Sequence, residues 1–117
     1  MQSTTAYRQG DIVLVPFPFT DLSSAKKRPG VVVSPDPFNR LSQDVILVAI
    51  TSHFTTDEDV TVIADADFLE GRLPQRSAIK LAKIFTIHSS LVLRRIGALK
   101  RAKTEEILER LRQLFSS

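Results

Sequence analysis

Residues 10–34, GDIVLVPFPFTDLSSAKKRPGVVVS, decide the fold of this chain. Their first part, residues 11–19, is apolar and β-branched and ends with two prolines, a pattern typical of a strand that leaves a sheet. A polar loop, residues 20–27, follows it. The next run, residues 30–34, is β-branched and apolar throughout, which indicates a central strand. The stretch therefore predicts two strands of a small β-sheet.

Three further runs predict strands beyond this stretch. They are residues 44–51 (DVILVAIT), residues 59–64 (DVTVIA) and residues 78–85 (AIKLAKIF). In the last run, alternation places Lys80 and Ala82 on one face of the strand. The chain is therefore expected to be mainly β.

The remaining segments predict loops and one helix. Residues 34–43 contain two prolines and predict a loop, and residues 65–71 predict a turn or at most one helical turn. Residues 104–115 predict an amphipathic helix with Glu105 and Glu106 in its first turn. Its apolar positions are Ile107, Leu108, Leu111, Leu114 and Phe115. Strands followed by a terminal helix suggest a compact barrel or an α+β domain.

Size and composition exclude several classes of protein. With 117 residues, of which 43% are hydrophobic, residues 1–117 are expected to form one domain. There is no apolar run of membrane-spanning length and no secretory pattern at the start, so a cytoplasmic protein without a membrane association is expected. The chain has no cysteine, and His53 and His88 stand alone, so we expect no metal site and no cofactor.

The charges are sorted along the chain, although the net charge is only +3. All charged residues in the stretch 57–70 are acidic, and all those in the stretch 72–103 are basic. Together with the basic triplet at residues 26–28, the basic stretch predicts a positive face for a polyanion. The alternative is a solvated surface that keeps the protein soluble. The acidic stretch has no assigned role at this point.

Three motifs, in this order, resemble those of the PemK/MazF-like toxins. Residues 10–34 begin with Gly-Asp and carry the dipeptide Arg28-Pro29 at the head of a valine-rich strand. Residues 48–52 (VAITS) end an apolar strand in Thr-Ser, and residues 78–87 (AIKLAKIFTI) run into Thr-Ile. The terminal amphipathic helix also fits, so the resemblance spans nearly the whole chain.

The resemblance implies a fold and a function together. The implied fold is an SH3-like barrel of the PemK/MazF/CcdB type with a C-terminal amphipathic helix. The implied protein is a homodimeric toxin that cleaves single-stranded RNA at short sequences without a metal. A cognate antitoxin would occupy the RNA groove, and DNA binding would arise only together with that antitoxin.

The resemblance also implies that Arg28 and Thr51 are catalytic, with Ser52 assisting. In metal-free RNA cleavage the 2′-hydroxyl is the nucleophile, so the protein must orient it and stabilise the phosphorane-like transition state. A guanidinium can donate two hydrogen bonds to phosphate oxygens, and a hydroxyl can orient the nucleophile. The alternatives are that Arg28 belongs to a basic loop tip and that Thr51 only bonds local backbone.

The group that accepts the proton is less clearly indicated. In several family members the strand that matches residues 78–85 carries a basic residue and, two positions later, an acidic one. This chain has Lys80 and Ala82 at those positions. His53 directly follows the Thr-Ser pair and is one candidate. Asp21, in the loop ahead of Arg28, is another if that loop folds over the site, and the alternative for it is a solvated loop aspartate. The residues expected to contact RNA are Lys26, Lys27, Lys80, Phe19 and Phe54.

Three alternative functions stay open. Because Ala82 replaces an acid, the chain can be a catalytically impaired module that binds RNA or the antitoxin. It can also resemble the CcdB gyrase poisons, although those lack the Arg-Pro and Thr-Ser motifs. The third alternative is a generic SH3-like domain that binds a peptide.

Overall fold

The structure is a computed structural model that describes residues 6–17, 26–56 and 59–116. The strands are β1 (Asp11–Phe17), β2 (Lys26–Val32), β3 (Asp44–Thr51), β4 (Val60–Ile63), β5 (Phe68–Gly71), β6 (Ser77–His88) and β7 (Arg94–Leu99), and the helices are α1 (Asp36–Leu41) and α2 (Arg101–Leu114). The strands form one curled antiparallel sheet in the order β4-β6-β3-β2-β1-β7-β5. Neither helix is long and apolar enough to cross a membrane, a statement limited to the described residues.

The central strands are buried on both faces because their side chains alternate between two apolar clusters. One cluster contains Ile12, Val31, Val48, Ile50, Ile79 and Leu81. The other contains Val13, Val15, Val32, Val45, Leu47 and Ala49. Helix α2 closes the first cluster with Ile107, which is 1% exposed. The predicted mainly β fold with a C-terminal amphipathic helix is confirmed.

Helix α1 lies where the sequence predicted a loop. Pro35 precedes it and Pro37 is its second residue. The first backbone N–H groups of a helix have no partner within the helix, so proline is tolerated there although it breaks a helix interior. Asp36 in the first turn further stabilises this end and accepts a hydrogen bond from the Gln9 N–H at 2.8 Å. The two prolines therefore mark the start of a helix.

The predicted turn at residues 65–71 is only half correct. Asp65–Asp67 form a 3-10 turn, but the following residues form β5, which pairs with β7. Gly71 ends this strand with φ +74°, and a Cβ on it would lie 2.3 Å from the Ile96 carbonyl oxygen. Only glycine fits such a left-handed position beside another strand. Strand β7 itself has no predicted counterpart, because its sequence RRIGAL shows no clear alternation.

Helix α2 begins earlier than predicted. It starts at Arg101, so Glu105 and Glu106 lie in its second turn rather than its first. Its apolar side ends before Phe115, which is 76% exposed instead of packing on the sheet. The helix N-terminus is thus not stabilised by acids, and Glu106 takes part in a side-chain network described below.

Candidate functional site

A cleft opens where the pairing between β2 and β3 stops. The described pairs that join them are Gly30–Ala49, Val31–Val48 and Val32–Leu47. Pro29, the next residue of β2, has no N–H to donate. Beyond this point β2 remains paired to β1 through Val15–Arg28, and β3 remains paired to β6 through Thr51–Ala78. The ends of β2 and β3 therefore diverge at the Arg28-Pro29 dipeptide.

This active-site cleft has a volume of about 460 Å³. Its walls are Arg28 and Pro29 from β2, Ile50 and Thr51 from β3, Leu14 from β1, Arg94 and Ile96 from β7, and Leu73, Pro74, Gln75 and Ser77 at the entry to β6. Lys27 and Ser52 stand at its edge. Three of its described lining residues are basic and none is acidic. The cleft is therefore a positive, partly apolar depression suited to an anion.

Arg28 and Thr51 are brought together as the sequence predicted. Continuing the β2–β3 register by two residues places them opposite each other, and both line the cleft. Arg28 is half-buried and its Nε atom is shielded from solvent. Val15 lies beside Arg28 on β1 and belongs to the buried core. The guanidinium is therefore held by the sheet and is not part of a solvated loop tip.

The Thr51 hydroxyl is engaged with local backbone. Its Oγ1 accepts a hydrogen bond from the His53 N–H at 3.0 Å and lies 3.1 Å from the His53 carbonyl oxygen, to which it can donate. A hydroxyl has one donor and two acceptor positions, so one acceptor position remains open. The His53 ring is exposed, with Nδ1 3.4 Å from Ser52 Oγ. It does not line the cleft.

The other predicted RNA contacts are divided. Lys27 is exposed and lines the cleft. Lys80 does not line it; it is half-buried on β6 opposite Val60 of β4. The β3–β6 register shifts here, and residues 80–83 have no partner on β3 among the described pairs. Phe19, Asp21 and the side chain of Lys26 lie outside the described part of the chain.

Phe54 lies outside the cleft lining but is not isolated. It is half-buried, and the guanidinium carbon of Arg76 sits over its ring, 5.0 Å from the centroid. Arg76 belongs to the segment between β5 and β6, whose neighbours Gln75 and Ser77 do line the cleft. This distance is within the range of a cation–π contact.

Arg94 is a cleft residue that the sequence reasoning missed. It pairs with Leu14 across the sheet, and no residue in the described part of the chain forms an ion pair or hydrogen bond with its side chain. Its neighbour Arg95 binds Asp11 at 3.0 Å and Glu70 at 2.9 Å. These hydrogen bonds, first to Glu70 and then to Asp11, raise the pKa of Arg95. If residues 94–99 had been predicted as a strand, alternation would have placed Arg94 and Arg95 on opposite faces of the sheet.

The acidic stretch pairs with part of the basic one. The described pairs are Asp59–Arg110, Asp65–Arg72, Asp67–Lys103 and Glu70–Arg95. Three of these four cations come from residues 72–103. The expected positive face is therefore smaller than that stretch, because the strands and α2 bring opposite charges together. The basic residues that line the cleft are Lys27, Arg28 and Arg94.

Lys103 is the most buried of these cations, with a side chain 7% exposed. Its Nζ donates to the Val62 carbonyl at 2.8 Å and lies 3.2 Å from Glu106 Oε2. Thr61 donates to the same carboxylate at 2.5 Å. The hydrogen bond from Thr61, and then Lys103, lower the pKa of Glu106, although partial burial opposes the shift. We call Thr61, Asp67, Lys103 and Glu106 the α2 network.

A metal site was not expected from the sequence. Within residues 6–17, 26–56 and 59–116, no group of three or more His, Asp or Glu side chains is arranged to hold a metal ion.

Comparison with known proteins gives the same fold. The chain is similar to an endoribonuclease from a mycobacterial species, with 20% identity, TM-score 0.73 and coverage of 96% of this chain and 93% of that chain. It is also similar to a mycobacterial endoribonuclease in complex with its cognate antitoxin (18% identity, TM-score 0.75, 92% and 93% covered). A MazE–MazF structure from Deinococcus radiodurans matches with 12% identity, TM-score 0.73 and 97% and 98% coverage.

The family follows from a match over most of the sequence. None of the curated proteins is similar enough to the chain to count as a match. Residues 8–115, however, match the family model described as "PemK-like, MazF-like toxin of type II toxin-antitoxin system". This confirms the family expected from the three sequence motifs, and the sheet with its C-terminal helix is the MazF-type fold. The chain belongs to the PemK-like, MazF-like toxins of type II toxin-antitoxin systems.

Proposed function

We propose that this protein is a sequence-specific endoribonuclease that cleaves single-stranded RNA without a metal and acts as the toxin of a toxin-antitoxin pair. The observation that carries the proposal is the convergence of Arg28 and Thr51 in a positive cleft. Two of its structural relatives are endoribonucleases by name, and the family is one of toxins. The residue roles below rest on the geometry of this chain.

In the proposed reaction, the 2′-hydroxyl attacks the adjacent phosphorus. A P–O2′ bond forms and the P–O5′ bond breaks, which leaves a 2′,3′-cyclic phosphate and a 5′-hydroxyl. Arg28 donates hydrogen bonds to the non-bridging oxygens, where negative charge accumulates in the transition state. No described lining residue of the cleft is a carboxylate, so no lining acid competes with the phosphate. Lys27 and Arg94 bind flanking phosphates.

Thr51 is proposed to orient the nucleophile. Its remaining acceptor position can take a hydrogen bond from the 2′-hydroxyl, while its bonds to the His53 backbone hold Oγ1 in place. Ser52 stands at the cleft edge and can bind a phosphate oxygen. His53 is the proposed proton acceptor, which takes the proton of the 2′-hydroxyl and returns it to the leaving 5′-oxygen. Its exposed ring lies outside the described cleft lining, with Nδ1 3.4 Å from Ser52 Oγ, so it has to turn toward the bound RNA.

A second function is favoured by one observation. Ala82 is exposed at the position where several relatives carry an acid, and no described lining residue of the cleft is a carboxylate. A cleft without an efficient proton acceptor can still bind RNA or an acidic segment of an antitoxin. The second candidate is therefore a catalytically impaired binding module with the same fold.

The partners follow from the same positive cleft. We propose that a cognate antitoxin inhibits by filling it, as suggested by relatives whose structures contain MazE with MazF or a cognate antitoxin. We further propose a homodimer located in the cytoplasm, in which residues 1–117 of each subunit form one domain. An antitoxin segment with several carboxylates would match Lys27, Arg28 and Arg94.

The test is to incubate the purified protein and Arg28→Ala with a long single-stranded RNA in excess chelator. The 5′ ends and the cyclic-phosphate 3′ ends are then mapped. The proposal expects discrete cuts by the wild type that disappear in the variant. RNA that is bound but stays intact would support the impaired binding module instead.

A further inference from the structure

Phe54 and Arg76 stand just beyond the paired ends of β3 and β6. The last pair of these strands at this end is Thr51–Ala78. Phe54 follows Thr51 by three residues, and Arg76 precedes Ala78 by two. At about 3.3 Å per residue, Phe54 is at most roughly 10 Å from Thr51 along the chain. The pair therefore stands close to the site at which the scissile phosphate is expected to bind.

The segment that carries Arg76 separates two concave surfaces. Leu73, Pro74, Gln75 and Ser77 line both the active-site cleft and a second cleft of about 870 Å³. Arg76 itself lines the second cleft and is exposed. A single strand that leaves the active-site cleft on this side has to cross residues 73–77. The exposed Arg76 side chain is therefore accessible to a strand that crosses this segment.

We propose that Arg76, held over Phe54, is a stacking platform that recognises one RNA base next to the scissile phosphate. This inference rests on the proposed ribonuclease function and assigns part of its sequence preference. Unpaired bases stack on aromatic rings and on arginine planes. The contact with Phe54 at 5.0 Å orients the guanidinium before RNA binds, so less side-chain freedom is lost on binding.

Gln75 supplies the polar contact that stacking alone lacks. It is exposed and lies between the two clefts, next to Arg76. Its amide has both a donor group and an acceptor, so it can bond the edge of a stacked base. Arg76 thus provides the surface for the base, and Gln75 provides discrimination among bases.

The experiment uses a short RNA that contains one mapped cleavage site, together with versions in which each flanking nucleotide in turn is abasic. Cleavage rates are measured with the wild type, Arg76→Ala and Phe54→Leu. For the wild type, one abasic position should lower kcat/KM by roughly tenfold or more, the usual effect of one lost stacking contact. For Arg76→Ala, the intact RNA should be cut more slowly, and the same abasic position should cause no further loss.

Arg72→Ala is the matched control, since Arg72 is an exposed arginine of the same segment that lines only the second cleft and pairs with Asp65. With Arg72→Ala, the abasic position should lower kcat/KM as much as it does with the wild type. Phe54→Leu keeps an apolar side chain, so it distinguishes loss of the platform from loss of folding, which circular dichroism monitors.

The outcomes separate this inference from the proposed function. If the wild type cuts RNA but Arg76→Ala retains the same abasic penalty, the platform is wrong and the ribonuclease stands. If the wild type binds without cutting, the same comparison is made with dissociation constants, and an equal penalty in both proteins again overturns the platform. If RNA is neither cut nor bound, both proposals fail.

Discussion

The active-site cleft and the α2 network both contain cations, but these cations face different surroundings. In the α2 network, Lys103 is buried and lies within 3.6 Å of Asp67 and 3.2 Å of Glu106. In the cleft, Arg28 and Arg94 share a depression with Lys27 and with no described carboxylate. Paired buried charges fix one element against another, whereas a cluster of like charges is unfavourable for folding and favourable for an anionic ligand.

The contrast also occurs within one dipeptide. Arg94 points to the cleft, while Arg95 binds Asp11 and Glu70 on the other side of the strand. Sequence alone presents both as members of one basic stretch. Basic residues of this chain therefore either line the cleft or form ion pairs that stabilise the fold. The alternation of β7 places Arg94 in the first group and Arg95 in the second.

The largest effect on stability is expected from Lys103→Met. Removing this cation leaves Asp67 and Glu106 facing each other without a cation between them. Because both carboxylates keep some contact with water, we expect a loss of about 2 kcal/mol in the free energy of unfolding, below the full cost of breaking a buried pair. Urea denaturation measures it.

Arg112→Ala is the control for Lys103→Met. It removes an exposed pair with Glu109 on the same helix and should change stability by only about 0.5 kcal/mol. Equal losses for the two variants would contradict the structural role of the α2 network. RNA binding by both variants should match that of the wild type.

Arg94→Ala should weaken RNA binding by roughly tenfold at low salt and should reduce the slope of log affinity against log salt by about one. The reason is the loss of one phosphate contact. Fluorescence anisotropy with a short single-stranded RNA at several salt concentrations provides the measurement. Unfolding should be unchanged, because Arg94 has no ion pair with the described residues.

Arg95→Ala, at the neighbouring position, is compared with Arg94→Ala in the same two measurements. It should lower stability, since buried Asp11 loses its cation, and it should leave the salt slope as it is. If Arg94→Ala and Arg95→Ala alter the salt slope equally, the division between the two arginines is wrong.

The smallest effect is a pH-dependent one at Glu106. The pKa of Glu106 is lowered in the folded protein, from the ordinary glutamate value of 4.5. Its charge therefore stabilises the fold above that ordinary value, and this contribution to stability is lost as the pH falls through the folded pKa. Glu106→Gln still accepts a hydrogen bond from Thr61. It should therefore cost less than about 1 kcal/mol at pH 7, with a difference from the wild type that disappears in acid. A difference that stays constant from neutral to strongly acidic pH would contradict this assignment.

The sequence predicted the elements whose pattern is local. β3 was predicted with its observed ends, and α2 was predicted from the spacing of Ile107, Leu111 and Leu114, although its start was misplaced. β5 and β7 were missed because they are stabilised mainly by pairing with distant strands, and RRIGAL carries no pattern of its own. Phe115 fits the helical spacing but lies past the sheet that the helix covers.

The site was predictable to the extent that it follows from the Arg28-Pro29 dipeptide and the end of β3. Their proximity needs only the antiparallel register of two adjacent strands. Arg94 joins them through a third strand, and Arg76 meets Phe54 through the connection after β5. Such contacts depend on the order of strands in the sheet, which no local sequence pattern predicts. Lys80 lies outside the cleft lining, beside a register shift between β3 and β6, and its contact with RNA stays a prediction.

The central claim is that the cations of the cleft perform RNA chemistry while those of the α2 network maintain the fold. It is tested most directly by single-turnover cleavage of one mapped RNA, in excess chelator, by the wild type, Arg28→Ala and Arg101→Ala. Arg101 is an exposed arginine paired with Glu105 and outside the cleft. We predict a loss of about a hundredfold or more for Arg28→Ala, the usual cost of removing one transition-state donor, and a near wild-type rate for Arg101→Ala. A folded Arg28→Ala protein that cuts the same sites at the wild-type rate would contradict the account.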